Sequence, residues 1–195
     1  MTSPPALVRN VYYHIFNRGV NRENIFVEER NYSHFLRLYA KYIEPVAETY
    51  AYCLLRNHFH VLVRIKSESE DQEADKILNP SQQFSNFFNA YAKAINKAYG
   101  RTGSLFQHPF GRVPVKNSRQ FYQVVNYIHR NPQKHKIVND FKNWKYSFHA
   151  ALLSNGPTYI KRESVLDWFG TRSDFIYLHA SVIDENSEFD ADDAD

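Results

Sequence analysis

The sequence contains very little cysteine and no long uninterrupted apolar run. Cys53 is the only cysteine among 195 residues, which is typical of a reducing compartment, and we expect its thiol to be a small buried apolar group. No run approaches the roughly 18 apolar residues of a membrane-spanning helix. Residues 1–10 also lack the apolar core of a signal peptide. We therefore expect the cell interior and no membrane partner.

Acidic residues are almost absent from one long stretch of the chain. The net charge is only +3, from 24 basic and 21 acidic residues, because many acids lie in two segments without Lys or Arg. Five acids lie within 67–75 and seven within 184–195, whereas residues 76–145 contain twelve bases and one acid, Asp140. This local excess of positive charge favours a polyanionic partner, most commonly nucleic acid. The competing interpretation is an ordinary solvated basic surface.

Apolar and aromatic residues are plentiful, at 43% and 16% of the chain, which excludes a wholly disordered protein. Residue periodicity predicts the order β, α, β, β, α, β, α. The predicted strands span 11–17, 48–55, 58–65 and an irregular edge segment within 105–115. The predicted helices span 32–43, 80–99 and 118–131, with further helical pieces at 144–153 and 161–178. We expect an α+β fold, an antiparallel sheet with helices on one face, in a ferredoxin-like or RRM-like layout.

The predicted domain organisation has three parts. Residues 1–157 form the main domain, which includes an acidic surface loop at 67–75. Residues 158–183 form a helical extension that either packs on the domain or mediates dimerisation, so a homodimer is one arrangement we consider. Residues 184–195 form an acidic tail that we expect to be disordered.

Two histidines lie two residues apart in the predicted strand 58–65. Alternation puts His58 and His60 on one face, whereas Phe59 and Val61 belong to an apolar face that must meet the core. Both imidazoles therefore point to the more polar side, where they can hold one metal ion, or one can orient a phosphate. Two surface histidines or an incidental zinc site are the alternatives. A third ligand has to come from elsewhere in the chain.

Two pairs of tyrosine and asparagine flank the buried stripe of the predicted helix 118–131. Tyr127 and Asn131 lie one turn apart on one border, and Tyr122 and Asn126 lie one turn apart on the other. Either pair can place a phenol beside an amide oxygen next to a metal. Helical geometry alone does not choose between the pairs. Each tyrosine also fits an ordinary amphipathic position at the edge of a core.

Four fragments together resemble the single-tyrosine HUH transposases, and most closely the REP-associated branch. They are YHIFNRGVNRENIF at 13–26, LLRNHFHVLV at 54–63, GSLFQ at 103–107 and YIHRNP at 127–132. A His-hydrophobic-His strand followed by a tyrosine in a Y-I-x-x-N-P helix is far more specific than any one fragment. The resemblance covers residues 11–146 and implies the HUH version of the predicted fold.

The resemblance also implies a role for individual residues. His58 and His60 match the paired metal-binding histidines, and Tyr127 matches the nucleophile. Asn131 stands where the family places a third polar metal ligand. The implied cofactor is Mg²⁺ or Mn²⁺, and a ligand set without thiolate or carboxylate suits a weakly bound ion that shares its shell with water and phosphate.

The implied activity is cleavage and rejoining of single-stranded DNA with hairpin ends, through a 5′-phosphotyrosine link. The implied location is the bacterial cytoplasm, in association with the nucleoid. Two other functions fit the same sequence. One is a non-catalytic hairpin-DNA-binding protein descended from such a transposase, and the other is a metal-dependent nuclease that uses water, with Tyr127 structural.

The basic stretch supplies the predicted DNA-binding surface. Lys and Arg neutralise phosphates, and an aromatic ring can stack on unpaired bases. The basic candidates are Lys93, Lys97, Arg101, Arg112, Lys116, Arg119, Arg130 and Lys134, and the stacking candidate is Phe106 or Phe110. We interpret the acidic tail as a candidate competitor of DNA for this surface.

Overall fold

One antiparallel sheet with the strand order β2-β3-β1-β4 organises the chain. The computed structural model describes residues 6–70, 77–156 and 158–180. The strands are β1 (Tyr12–Arg18), β2 (Ala47–Leu54), β3 (His58–Ile65) and β4 (Gly111–Val115). The helices are α1 (Glu29–Tyr42), α2 (Pro80–Tyr99), α3 (Ser118–Lys134), α4 (His149–Leu153), α5 (Arg162–Phe169) and α6 (Arg172–Ala180). None of the helices in the described ranges has both the length and the apolar character needed to span a membrane.

The sheet buries both of its faces. On one face, Val61 belongs to a core that includes Phe35 of α1 and Phe87 of α2. On the other, Leu62 belongs to a second core that includes Ile128 of α3. The α+β class and the antiparallel sheet are confirmed. The expectation that all helices lie on one face is corrected, because the apolar stripe of α3 is itself buried against the opposite face.

Helix α1 begins earlier than its sequence pattern predicts. Glu28 is the N-cap residue, and Asn31 stands at the third helical position. The Asn31 side-chain oxygen accepts hydrogen bonds from the backbone N–H groups of Val27 and Glu28, both at 2.9 Å. The Glu28 side chain accepts in return from the Asn31 backbone. With this reciprocal capping box the helix begins at Glu29, three residues before the predicted start at residue 32.

Helix α3 continues beyond the predicted end at Asn131, through Pro132 to Lys134. Proline lacks the N–H that would bond to the carbonyl of Ile128, but its fixed φ is compatible with one more turn. The Pro132 carbonyl accepts from the backbone N–H of Ile137 at 2.9 Å, which satisfies a carbonyl at the helix end. The three added residues include Lys134, which lies beside the site described below.

The C-terminal helices join the second core. Val165, Phe169 and Phe175 are buried in the same cluster as the apolar stripe of α3. Gly170, at φ 94°, separates α5 from α6, so the predicted segment 161–178 is two short helices. Only His149–Leu153 of the predicted segment 144–153 is helical. Within the predicted acidic loop, Glu68–Glu70 forms a 3-10 turn, while 71–75 and the acidic tail lie outside the described residues.

Candidate active site

Strands β1 and β3 present a cluster of rings to the underside of α3. Their antiparallel register pairs Phe16 with His60 and Arg18 with His58. The rings in contact are those of His14, Phe16, His58 and His60. His58 is 3% exposed and His60 is fully buried. The alternative of two surface histidines is therefore wrong, because α3 covers this face.

His58 lies between two amide side chains. Its Nδ1 is 2.7 Å from Oδ1 of Asn57, and its Nε2 is 3.1 Å from Oδ1 of Asn131. A proton on Nδ1 lets the ring donate to Asn57, which leaves a lone pair on Nε2 directed at a second acceptor oxygen. Two ligands bound at right angles about 2.1 Å from one ion are themselves about 3 Å apart. The His58 and Asn131 atoms therefore have the spacing of two ligands of one cation.

His60 has a partner that the sequence did not suggest. Its Nδ1 lies 3.0 Å from Nε2 of His14, and the two ring planes are 25° apart with centroids 5.1 Å apart. His14 is fully buried. The run containing His14 was part of the family resemblance, but its role depends on the pairing of β1 with β3. Alternation along β1 is the one signal that could have placed it on the face of the metal-binding candidates.

The Tyr127 ring packs edge-on against both of these histidines. Its centroid is 5.2 Å from that of His60 and 5.7 Å from that of His14. The ammonium nitrogen of Lys134 lies 5.5 Å from the centroid of the Tyr127 ring, within the range of a cation–π contact. Tyr127 is half-buried. The phenol, the histidine pair and Asn131 thus come together within one chain.

The alternative pair on α3 points to the C-terminal helices. The Tyr122 hydroxyl donates to the backbone oxygen of Trp168, and Nδ2 of Asn126 donates to the backbone oxygen of Leu178 at 3.3 Å. Both side chains thus hold α5 and α6 against α3. Of the two pairs that helical geometry left open, Tyr127 and Asn131 are the pair beside the histidines.

A second group of histidines lies where α3 meets α4 and α6. Nδ1 of His129 is 3.0 Å from Nε2 of His179, whose own Nδ1 donates to the backbone oxygen of Phe175 at 2.9 Å. Burial lowers the pKa of His179 to about 3 and that of His149 to about 4. Burial also lowers the pKa of His129 well below its ordinary value. These rings are neutral packing groups at neutral pH.

The predicted stacking role of Phe106 is wrong. Its ring is 2% exposed and lies in the first core, 5.3 Å from the ring of Phe88. Phe110 is also buried, and its ring stacks on that of Phe84 at 5.6 Å. A base cannot reach either ring without unpacking this core. The short segment around Phe106 has no periodicity that could have revealed its burial.

The predicted basic residues do not form one surface. Lys93 and Lys97 are exposed on α2, which covers the sheet face opposite the histidines. Arg112 shares that face with Ile15, its partner across the β1–β4 pair. Arg101 forms an ion pair with Glu23, and Arg130 donates a hydrogen bond of 2.5 Å to the His179 backbone oxygen. Three basic side chains are exposed on or next to α3, those of Lys116, Arg119 and Lys134.

The donor set limits which metal this site suits. Within residues 6–70, 77–156 and 158–180, no three His, Cys, Asp or Glu side chains converge as a metal site. The candidate ligands are two imidazoles and one amide oxygen, so an ion held here takes its remaining ligands from water or a bound substrate. Such an open shell fits Mg²⁺ or Mn²⁺, and it does not fit a closed structural zinc site.

Three comparisons relate the chain to known proteins. The family model described as "Transposase IS200 like" matches residues 7–131. A Haemophilus influenzae protein named as a REP-associated tyrosine transposase is 31% identical over 106 residues, which are 52% of this chain and 59% of that relative. The chain thus covers less than two thirds of the length of this curated relative.

The third comparison concerns the fold. A solved structure described as a REP-associated tyrosine transposase bound to a REP hairpin aligns with a TM-score of 0.61. The alignment covers 80% of this chain and 87% of that one, at 15% sequence identity. At this identity the likeness shows a shared α+β fold. The residues that the family model matches, 7–131, contain all four strands and most of α3.

Proposed function

This chain belongs to the IS200-like transposase family, and from that premise we propose that it cleaves and rejoins single-stranded DNA through a covalent link to Tyr127. The observation that carries the proposal is the meeting of one phenol with a buried histidine pair. The Tyr127 ring lies 5.2 Å from the His60 ring, and Asn131, one turn further along α3, reaches His58. Nucleophile and ligands therefore sit on two rigid elements, as a preorganised site requires.

In the proposed reaction, the Tyr127 hydroxyl oxygen attacks a backbone phosphorus and loses its proton. The bond from phosphorus to the 3′ oxygen breaks, and that oxygen leaves as a 3′-OH once it is protonated. The product is a 5′-phosphotyrosine, from which the 3′-OH of another strand can displace Tyr127 in the reverse reaction. Bond energy is conserved, so no nucleotide cofactor is needed.

Negative charge develops on the phenol oxygen and the phosphate during this step. A free phenol ionises only near pH 10, so it is a weak nucleophile at neutral pH. Lys134, with its ammonium 5.5 Å from the Tyr127 ring centroid, brings a positive charge to this position. Its exposed location at the end of α3 also lets it contact a phosphate.

We propose that His58, His60 and Asn131 hold Mg²⁺ or Mn²⁺. When bound, the ion supplies Lewis-acid polarisation of the scissile phosphate. The chain prepares the ligands for it. Asn57 accepts from Nδ1 of His58, which keeps the lone pair of Nε2 available, and burial beneath α3 fixes the rings.

The proposed substrate is single-stranded DNA next to a hairpin. This proposal is supported by the family and by the REP hairpin bound to the structural relative. On this chain, the basic residues best placed to guide a strand to Tyr127 are those on or next to the same helix, Lys116, Arg119 and Lys134. Lys93, Lys97 and Arg112 lie on the other side of the sheet and would bind only a more distant part of the DNA.

The four proposed site residues meet within one chain, so a second copy is not needed to bring them together. A homodimer and a bacterial cytoplasmic location remain predictions. Light scattering of the purified protein with and without hairpin DNA measures the first, and fractionation of the host cell measures the second.

The proposed chemistry is tested with two tyrosine variants of one helix. Tyr127→Phe removes the nucleophile, whereas Tyr122→Phe removes a hydroxyl bound to the Trp168 backbone. Each protein is incubated with labelled single-stranded hairpin DNA and Mn²⁺, and the products are separated on a denaturing gel. We expect a covalent adduct with the wild type and with Tyr122→Phe, and none with Tyr127→Phe, which still binds the hairpin.

The same gel separates the competing functions. Free cut ends without an adduct, produced equally by Tyr127→Phe, would identify a nuclease that uses water. Binding without cutting, in Mg²⁺ and Mn²⁺ alike, would identify a hairpin-binding protein. Adduct formation by Tyr127→Phe would refute the assignment of the nucleophile.

A further inference from the structure

The structure assigns His14 a role as the positioning residue of His60. We infer that Nε2 of His14 accepts the Nδ1 proton of His60 across the 3.0 Å contact, which fixes the lone pair of His60 on Nε2. The inference rests on the proposed function, in which His60 is a metal ligand.

Both histidines of β3 then follow one pattern. Each ring has a partner on Nδ1, Asn57 at 2.7 Å for His58 and His14 at 3.0 Å for His60. The two partners come from different places, the β2–β3 turn and the neighbouring strand β1. In both cases a neutral imidazole with its single proton on Nδ1 carries a lone pair on Nε2 that can bind a cation.

The direction of the His14–His60 hydrogen bond decides whether His60 can be a ligand through Nε2. If His14 donated instead, the proton of a neutral His60 would sit on Nε2 and block that nitrogen. Both rings are fully buried, so water cannot readily replace the missing partner. An acceptor at position 14 is thus a requirement of the proposed site.

Packing holds His14 in place for this role. The centroid of its ring lies 5.1 Å from that of His60 and 5.1 Å from that of Phe16. It also contacts the Tyr127 ring edge-on at 5.7 Å. His14 therefore contacts the proposed nucleophile and a proposed metal ligand at once, and it orients one relative to the other.

The test compares two substitutions of similar size. His14→Gln keeps an acceptor oxygen near the position of Nε2, whereas His14→Phe fills the space without one. Three properties are measured: the ¹⁵N chemical shifts of the His60 ring in metal-free protein, assigned with His60→Asn; the dissociation constant for Mn²⁺; and the rate of adduct formation at increasing Mn²⁺.

We expect a protonated Nδ1 on His60 in the wild type and in His14→Gln. His14→Phe should lose this preference and bind Mn²⁺ at least about 10-fold more weakly, with adduct formation recovering at high Mn²⁺. Hairpin binding in EDTA should stay unchanged in all three proteins.

Two results would overturn the inference: a wild-type His60 protonated on Nε2, or Mn²⁺ affinity of folded His14→Phe equal to that of the wild type. If His14→Phe does not fold, the wild-type ¹⁵N shifts and the Mn²⁺ affinity of His14→Gln decide the matter. A wild type with the expected tautomer and Mn²⁺ affinity but no adduct would refute the proposed reaction and leave the role of His14 intact.

Discussion

Acidification should destabilise this protein through the buried histidines between α3, α4 and α6. His149 is 5% exposed and His179 is 1% exposed, and both face aromatic rings that include Phe141 and Phe175. Burial lowers the pKa of His149 to about 4 and that of His179 to about 3. The neighbouring charges at Lys142 and Arg130 act in the same direction.

The magnitude follows from the difference between the folded and unfolded pKa values. An unfolded histidine ionises near pH 6.5, so between pH 6.5 and the lowered folded pKa the unfolded state binds more protons. The free energy of unfolding therefore falls as the pH falls through this window. At pH 5 the loss is about 2 kcal/mol for each of His149 and His179, or about 4 kcal/mol together. This is a large part of the stability of a typical domain.

The assay is urea unfolding followed by circular dichroism at pH 7 and pH 5. His149→Phe suits the surrounding aromatic rings and should reduce the loss on acidification by about 2 kcal/mol relative to the wild type. The exposed His108 provides the control, and His108→Gln should leave the loss unchanged. The reasoning fails if His149→Phe loses as much stability as the wild type over this range.

Two further predictions concern residues that the sequence analysis proposed to contact DNA, Phe106 and Lys134. Phe106→Ala should lower the free energy of unfolding by about 3–5 kcal/mol in urea denaturation, because it opens a cavity in the first core, and the hairpin affinity of the folded protein should stay unchanged. A specific loss of hairpin affinity without loss of stability would contradict this. Lys134→Met should slow adduct formation about tenfold or more by removing the charge beside Tyr127, whereas Lys93→Met on the opposite face should not. Equal rates of adduct formation by the two variants in a quenched time course would contradict the proposed role of Lys134 beside Tyr127.

Much of the sheet was predictable because strand patterns are local. The hairpin of β2 and β3 and the separation of His58 from Phe59 follow from a period of two residues. What covers the histidines does not follow from it. The burial of His60 depends on where α3 docks, and that contact joins residues more than sixty positions apart. Local periodicity contains no information on such a long-range contact.

The sequence predicts the histidines, the tyrosine and the asparagine of the candidate site, but it does not predict every residue that the site contains. The Y-I-x-x-N-P motif selected Tyr127, while helical geometry left Tyr122 equally eligible. The hydrogen bond from the Tyr122 hydroxyl to the Trp168 backbone favours Tyr127, and this contact depends on the packing of α5. His14 was missed because its role exists only across the β1–β3 pair. The basic residues were grouped by sequence, although the sheet separates Lys93 from Lys134.

The central claim is that Tyr127 forms the covalent link to DNA, and peptide mapping of the purified adduct tests it most directly. Trypsin cleavage after Arg119 and Arg130 releases the segment 120–130, which contains both Tyr122 and Tyr127. Fragmentation of this peptide after nuclease digestion should locate a 5′-linked nucleotide on Tyr127. A nucleotide on Tyr122, or on any residue outside this peptide, would contradict the account.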